Sequence, residues 1–374
     1  MTMKVLYITN LASPYRVNFF NELNRYCDLT VLFERKKADD RNDEWYNNEF
    51  NFNGIFLKSK SIGNEASASF DIIKYLRKDF DIIILGGYSS LTAMIASVYM
   101  RMHNIPYILN ADGGFINYDE KKLKKIVKTF FISSAKYWLS SGNETNKYLV
   151  YYGAEKERIY KYPFTSIYKN EILNQPISYI EKEKNKIKNK VKEEKVILSI
   201  GQFIYRKGFD WMIEAYKDLD KSIGIYIIGG KPTNEYLKLK EKYKMNNLYF
   251  VDFQDKESIL SWYRSADLFV LPTREDIWGL VINEAMSQGL PVITTNKCIA
   301  GLELIENGKN GYIIDIESEE ILLEKTNLFF SLSNKKRKII MENCLNKINK
   351  YTLENMSAIH ADFFKKIEDN ETYE

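Results

Sequence analysis

Short apolar runs rich in β-branched residues alternate with stretches of helical period along the whole chain. Runs of that length read as strands buried on both faces, and the intervening stretches as the helices that cover them. In the first half the strands fall at residues 4–9, 29–33, 81–85, 106–110, 137–140 and 158–162. A second set follows at 196–200, 224–229, 248–253, 268–271, 291–295 and 311–314. The alternation predicts an α/β fold with two doubly wound, Rossmann-like parallel sheets. Length agrees, because 374 residues exceed what one core usually serves.

Four stretches stand apart from this rhythm. Residues 181–195, EKEKNKIKNKVKEEK, read as a solvated helix or linker between the two halves. Residues 34–70 are less periodic and suggest an insertion lining a site. Residues 82–100 carry no charge over 19 positions, but Gly86 and Gly87 divide them into a strand and a helix, which argues against a membrane span. Residues 352–367 put Met356, Ile359, Phe363, Phe364 and Ile367 on one side of a helix that needs a surface to dock on.

Composition narrows the function classes. A net charge of +4 is too small for a nucleic-acid footprint. The excess sits in residues 1–165, where 23 Lys and Arg face 18 Asp and Glu. Cys27, Cys298 and Cys344 have neither disulfide-framework nor metal-knuckle spacing, which favours a reducing compartment and hence the cytoplasm. Lys4 leads straight into the first strand, so no signal peptide is expected. Residues 118–131 set Leu123, Ile126, Val127 and Phe130 on one helical face with Lys121, Lys122, Lys125 and Lys128 largely opposite. Such a helix lies on anionic lipid, or packs its apolar face on the sheet like any covering helix.

The richest chemistry is in DIWGLVINEAMSQGLPV, residues 276–292. Trp278 and Gly279 close a loop, a helix runs to Gln288, and Gly289 to Pro291 stops it before a strand. A helix beginning at glycine aims free N–H groups at whatever precedes it, which suits an anion. Asp276 stands ahead of that helix and Glu284 about a turn into it. In SIGQFIYRKGFD, residues 199–210, Arg206 and Lys207 follow the first strand of the second sheet, where parallel sheets bind ligands. Between Gly201 and Gly208 they can be a solvated pair or a clamp on a diphosphate. The first turn of the chain, NLASPYR, lacks the glycine fingerprint of dinucleotide enzymes.

These residues resemble the retaining GT-B glycosyltransferases of family 4, the group 1 glycosyl transferases. The resemblance rests on Asp276-x7-Glu284 with Ala285, Met286, Gly289, Pro291 and Val292, and on the Gly201 to Gly208 loop. It implies two Rossmann-like domains facing each other across a cleft: residues 1–165 for the acceptor, with 352–374 packing back on them, and 166–351 for the donor. It further implies that Glu284 holds the donor ribose and that Gly279 and Leu280 offer amides to the diphosphate. Arg206 and Lys207 neutralise that diphosphate, with Gly201 and Trp278 beside it, and Asp276 touches the transferred sugar.

The first acid is Asp, where the family usually has Glu, although Glu275 stands next to it, and Gln202 replaces a frequent arginine. Where the family often carries a histidine, six residues after an Ile-Pro pair, this chain has Asp112. That acid orients an acceptor hydroxyl or stabilises positive charge on the sugar, or else marks an Asp-Gly turn. Ser13, Tyr15, Arg16, Gly87 and Tyr88 are secondary candidates for the acceptor.

The resemblance implies a retaining hexosyltransferase that uses a nucleotide-diphosphate sugar, UDP- ahead of GDP-, as donor substrate, with no required cofactor. A lipid-linked or oligosaccharide acceptor of bacterial surface polysaccharide synthesis, capsule or lipopolysaccharide, is its implied partner. Peripheral contact with an anionic membrane is a further expectation; nucleic acid is not. No cluster has metal-ligand spacing, and Asp218-Leu219-Asp220 reads as turn chemistry. Two alternatives stay open: a sugar-nucleotide-binding subunit without turnover, and a GT-B nucleotide-sugar epimerase.

Overall fold

Each strand read from the apolar runs is present, with its ends within two residues of expectation. The structure, a computed structural model, describes residues 2–35, 49–58, 60–62 and 66–371. It divides into two compact units: Met1–Ser166 with Thr352–Glu374, and Ile167–Tyr351.

The first unit contains β1 (Lys4–Leu11), α1 (Pro14–Leu23), β2 (Asp28–Arg35), β3 (Asn53–Phe56), β4 (Lys60–Ile62), β5 (Ala66–Ala68), α2 (Ile72–Leu76) and β6 (Ile82–Leu85). It continues through α3 (Leu91–Met102), β7 (Ile108–Ala111), α4 (Lys122–Ile132), β8 (Tyr137–Ser140), α5 (Asn143–Tyr151) and β9 (Ile159–Lys161). Its main sheet runs β3-β2-β1-β6-β7-β8-β9, all parallel, and β4 and β5 form a separate antiparallel pair.

The second unit contains α6 (Tyr179–Lys188), β10 (Lys195–Ile200), α7 (Phe209–Ala215), β11 (Ile223–Ile228), α8 (Asn234–Lys242), β12 (Leu248–Val251) and α9 (Lys256–Ser265). Then come β13 (Leu268–Leu271), α10 (Leu280–Ser287), β14 (Val292–Thr295), α11 (Ile299–Leu304), β15 (Gly311–Ile314), α12 (Glu319–Ser331) and α13 (Asn334–Ile348). Its parallel sheet runs β12-β11-β10-β13-β14-β15. In both sheets the order reverses beside the first strand, at β1/β6 and at β10/β13, and such reversals open a crevice at the carboxyl ends.

The charge-free stretch at 82–100 is β6, a glycine bend and most of α3, and no described helix is long and apolar enough to cross a membrane. The weakly periodic stretch expected to line a site falls partly on residues 36–48, which lie outside the described residues. Its described part adds β3, an edge strand in register with β2 from Thr30↔Asn53 to Phe33↔Phe56.

Residues 181–188 form most of α6, as the helix reading expected, while the linker reading is corrected, because the segment lies inside the second unit and packs along α9, with Lys186 buried and donating to the Glu194 carbonyl at 2.7 Å. Lys182 pairs with Asp267, and burial lowers its pKa against that pull. Long stems let two lysines reach fixed acceptors across the helix, so a polar sequence still docks.

The terminal helix α14 (Leu353–Glu371) packs on α1 in the first unit. His360 on α14 is fully buried, its ring 4.9 Å from Phe19 and 4.7 Å from Tyr162, with Nδ1 2.7 Å from the Met356 carbonyl. Burial pushes its pKa down to about 4, the carbonyl and Asp112 raising it and Arg16 lowering it. An unfolded histidine titrates near ~6.5, so the unfolded chain binds more protons between those values. Stability from this residue is complete above the unfolded pKa and is lost as pH falls toward the folded one. Urea unfolding of the first unit should lose about 2–3 kcal/mol between pH 6.5 and 4.5, and His360→Asn should remove that slope.

Candidate functional site

At the carboxyl end of β10 the chain turns through Gly201, makes a 3-10 turn at Tyr205–Lys207 and enters α7 at Gly208. Gly208 has φ +72°, and a Cβ there would sit 2.0 Å from the Pro272 carbonyl oxygen. Only glycine permits that approach of the 201–208 loop to the loop after β13. Trp211 Nε1 donates to the same carbonyl at 2.8 Å. Arg274, unmarked by the sequence reading, stitches the loops together. Its guanidinium forms a fork on Asp210 at 2.7 and 2.8 Å, donates to the Tyr205 carbonyl at 2.7 Å, and lies 3.8 Å from the Tyr205 ring centre. The available signal was its place beside Glu275 and Asp276 in a loop at a strand's carboxyl end.

This scaffold brings the expected charges together. Lys207 Nζ lies 2.6 Å from Asp276 Oδ2, and Arg206 Nη1 lies 3.5 Å from Asp276 Oδ1 and donates to the Glu275 carbonyl at 2.9 Å. The Lys207 stem crosses Gly201, where an added Cβ would meet its Cδ and Cε at 3.4 Å. Asp276 is nearly buried while Glu275 is exposed. The shorter acid therefore faces the lysine. Its backbone is locked to the segment before α11, donating to the Lys297 carbonyl at 2.8 Å and accepting from Ile299 N at 3.2 Å.

The helix start follows at once. Gly279 has φ +99° and caps α10, and a Cβ there would lie 2.8 Å from Cys298 Sγ and 3.8 Å from Asp276 Cγ. The start of α10 thus lies beside the Lys207–Asp276 pair, with Ile282 N donating to the Gly279 carbonyl at 2.9 Å. Glu284 sits one turn in, its Oε2 accepting from the Tyr263 hydroxyl at 3.0 Å. Tyr263 is fully buried, and burial, with the Glu284 charge adding, pushes its pKa up. It therefore remains a donor that fixes Glu284. No spacing rule links Tyr263 to Glu284, so the pairing is not legible in the chain.

The Trp278 ring is buried and its Nε1 donates to Asn283 Oδ1 at 2.8 Å, which braces the loop against α10. Cys298 donates to the Trp278 carbonyl at 3.0 Å, and burial, then Asp276, pushes its thiol up to about 12. Among the described residues no cluster of His, Cys, Asp and Glu is arranged to hold a metal. Asp220 accepts from Ser222 N at 2.9 Å within its turn.

In the first unit Asp112 comes immediately after β7 and Arg16 in the first turn of α1, both at the carboxyl edge near the β1/β6 reversal. Arg16 is buried and pairs with Asp112 Oδ2, while Asn110 Nδ2 and the Tyr162 hydroxyl each donate to Oδ1 at 2.9 Å. The Arg16 guanidinium also lies 5.6 Å from Tyr15 and 5.7 Å from Phe164. Asp112 is thus a carboxylate held through both oxygens, with Oδ2 keeping room for a further donor. Burial pushes the Tyr162 hydroxyl up, with the Asp112 charge next in effect, so it stays a donor.

The secondary candidates separate. Gly87, at φ +123°, faces open space. Tyr88 shares its hydroxyl with Tyr148 at 2.5 Å and lies against the core, so its polar end is taken. Ser13 is buried, and its carbonyl accepts from Arg16 N and Val17 N at 3.0 Å as the start of α1. Tyr15 is half-buried, edge-on to Phe164 at 6.0 Å.

Residues 180–344 match the family model of glycosyl transferases group 1. An uncharacterised 41.2 kDa protein in the cps region of Klebsiella pneumoniae is 29% identical over 182 residues, 47% of this chain and 49% of that protein. The lipopolysaccharide glucosyltransferase WaaG of Escherichia coli is 28% identical over 171 residues, 44% of this chain and 45% of that protein. The chain spans about half the length of these curated relatives. Over all of both chains, the crystal structure of HepE from Anabaena in complex with UDP superimposes with a TM-score of 0.78 at 14% identity. That likeness establishes the GT-B fold.

Proposed function

We propose that the chain, whose residues 180–344 match the family model of the group 1 glycosyltransferases, transfers a hexose from a nucleotide-diphosphate sugar, UDP- ahead of GDP-, to a glycan or lipid-linked acceptor. The observation that carries this reading is the meeting of Lys207 and Arg206 on Asp276, with the glycine-capped start of α10 beside that carboxylate and Glu284 a turn into the helix. In this reading the amides and the two cations receive the diphosphate, and Glu284, oriented by Tyr263, takes the ribose hydroxyls. Asp276 holds Lys207 in place and meets the transferred sugar.

We assign retention of configuration to a front-face displacement. The departing phosphate accepts the acceptor proton, and Lys207, Arg206 and the helix terminus stabilise the leaving charge. Asp112, held by Arg16, Asn110 and Tyr162, orients an acceptor hydroxyl at the edge of the first unit. Both oxygens of Asp112 already accept hydrogen bonds, so it serves as a fixed acceptor and not as a proton carrier. The pathway proposed is assembly of bacterial capsule or lipopolysaccharide on the cytoplasmic side of the membrane. Two features support it: the Klebsiella relative lies in a cps region, and WaaG is named a lipopolysaccharide glucosyltransferase.

A panel of UDP- and GDP-sugars in a thermal-shift assay tests the donor half. A bound donor at 100 times its Kd should add about 2.7 kcal/mol to native stability. Glu284→Gln should weaken that binding roughly tenfold, or about 1.4 kcal/mol. A panel in which no nucleotide sugar moves the wild-type transition contradicts the assignment.

A further inference from the structure

We propose that Tyr205 is a stacking platform for the pyranose ring of the sugar that receives the transferred hexose. The inference rests on the transferase reading and narrows it, since it makes the receiving group of the acceptor a sugar and not a lipid phosphate.

Tyr205 stands in the 3-10 turn after β10, directly before Arg206 and Lys207, and is 72% exposed. Its backbone is fixed all the same, because its carbonyl accepts from Gly208 N at 3.1 Å and from Arg274 Nη1 at 2.7 Å. The ring is held as well. The Arg274 guanidinium lies 3.8 Å from its centre, and that guanidinium is itself immobilised by the fork on Asp210 and by Glu317 Oε1 at 2.6 Å. One face of the ring is therefore covered, and exposure of this extent leaves the other face to solvent.

Arg274 has no need of the ring. Two carboxylates already meet its charge, and an exposed cation–π contact adds little to such a network. What the contact achieves is to hold an aromatic face still at the mouth of the site, so that a ligand stacks on it without first ordering a side chain.

Position identifies the occupant. Successive strand residues point to opposite faces of a sheet. Ile225 and Ile227 share a core with Phe209 and Met212 of α7 and with Leu322 and Phe329 of α12. Tyr226, between those isoleucines, lies 5.3 Å from Trp262 of α9, and the next residue of α9, Tyr263, holds Glu284 of α10. So α7 and α12 cover one face of the sheet, and α9 and α10 the other. Tyr205 belongs to the first side, since Arg274 ties it to Asp210 in the first turn of α7 and to Glu317 just ahead of α12. Glu284, the proposed ribose anchor, belongs to the second.

A nucleoside on Glu284 is thus directed away from Tyr205. Asp276, the proposed contact of the transferred sugar, is reached at 3.5 Å by Arg206, the residue next to Tyr205. A ring on that side meets whatever approaches the transferred sugar, which is the acceptor. The C–H hydrogens on a pyranose face are weakly positive and match the negative face of an aromatic ring. An alkyl chain would need only apolar surface, such as the exposed Ile277 in the adjoining loop, and no flat ring held from beneath.

The test compares the full chain with Tyr205→Ala, Tyr205→Phe and Tyr205→Leu, at saturating donor chosen from the thermal-shift panel and with a glycolipid fraction from bacterial membranes as acceptor. Tyr205→Ala should raise the half-saturating amount of that fraction about tenfold and change kcat less than about twofold. Tyr205→Phe should match the wild type, because the ring face and not the hydroxyl stacks, and Tyr205→Leu should behave like Tyr205→Ala. The unliganded thermal midpoint and the donor-induced shift should be the same in all four, since the ring is exposed and lies away from the nucleoside. Unchanged half-saturation in Tyr205→Ala overturns the proposal. Full recovery in Tyr205→Leu overturns it in favour of an alkyl chain, and a donor shift lost in Tyr205→Ala overturns it in favour of a nucleotide contact. A wild type that shifts with no nucleotide sugar, or that releases no diphosphate with the fraction, contradicts the transferase reading and the platform with it, so the two failures are told apart by the wild type alone.

Discussion

Replacing Lys207 by alanine should lower turnover by about 10²–10³-fold, the scale of removing one donor from a developing negative charge. Lys207 Nζ is 2.6 Å from Asp276, with both side chains nearly buried, so the cation is already positioned and needs no reorganisation as the phosphate departs. The loss should fall on kcat more than on KM, because charge on the leaving oxygen peaks in the transition state. Stability should fall by only about 1–2 kcal/mol, since Arg206 remains 3.5 Å from the stranded carboxylate. Adding Asp276→Asn should restore that stability without restoring turnover. Steady-state kinetics with urea unfolding of the single and double variants separates the two effects, and turnover within threefold of wild type would remove Lys207 from the mechanism.

Asp112→Ala should be the most destabilising single change in the first unit, at about 3–5 kcal/mol. The substitution leaves Arg16, a buried guanidinium framed by Tyr15 and Phe164, without its counter-charge. Arg16→Met in the same chain should recover most of the loss by removing the stranded charge. Asp112→Asn keeps the shape and one acceptor oxygen but not the charge, so it should lose part of the same stability and turn over at least about tenfold more slowly if the carboxylate orients the acceptor. Equilibrium unfolding of the three variants checks the first claim. A loss below ~1 kcal/mol in Asp112→Ala would mean that the pair carries little of this unit.

Much of this architecture could be read from the chain because parallel strands buried on both faces write themselves as continuous runs such as Ile82 to Leu85 and Leu268 to Leu271. The meeting of Arg206, Lys207 and Asp276 was legible for a similar reason. Each sits in a loop just after a strand, and those loops share one edge of the sheet. Partners that depend on distant residues were not legible. Tyr263 reaches Glu284, Arg274 forks onto Asp210, and Arg16 pairs with Asp112 across 96 positions. The hydrogen bond by which Trp278 braces Asn283 was hidden as well, since a tryptophan in a ligand loop is as useful for bracing as for binding. The direction of α4 was likewise hidden. Periodicity defines a face but not what it looks at, and the acceptors that turn its lysines inward are Glu120 and Tyr151 with Tyr152.

Transfer is measured as release of nucleoside diphosphate from the donor identified by thermal shift, with and without a glycolipid fraction from bacterial membranes as acceptor. Release should depend on the acceptor and be abolished by Lys207→Ala, and the product should keep the donor's anomeric configuration. Donor that binds without release under any condition, or that is isomerised with its diphosphate intact, would contradict the transferase reading.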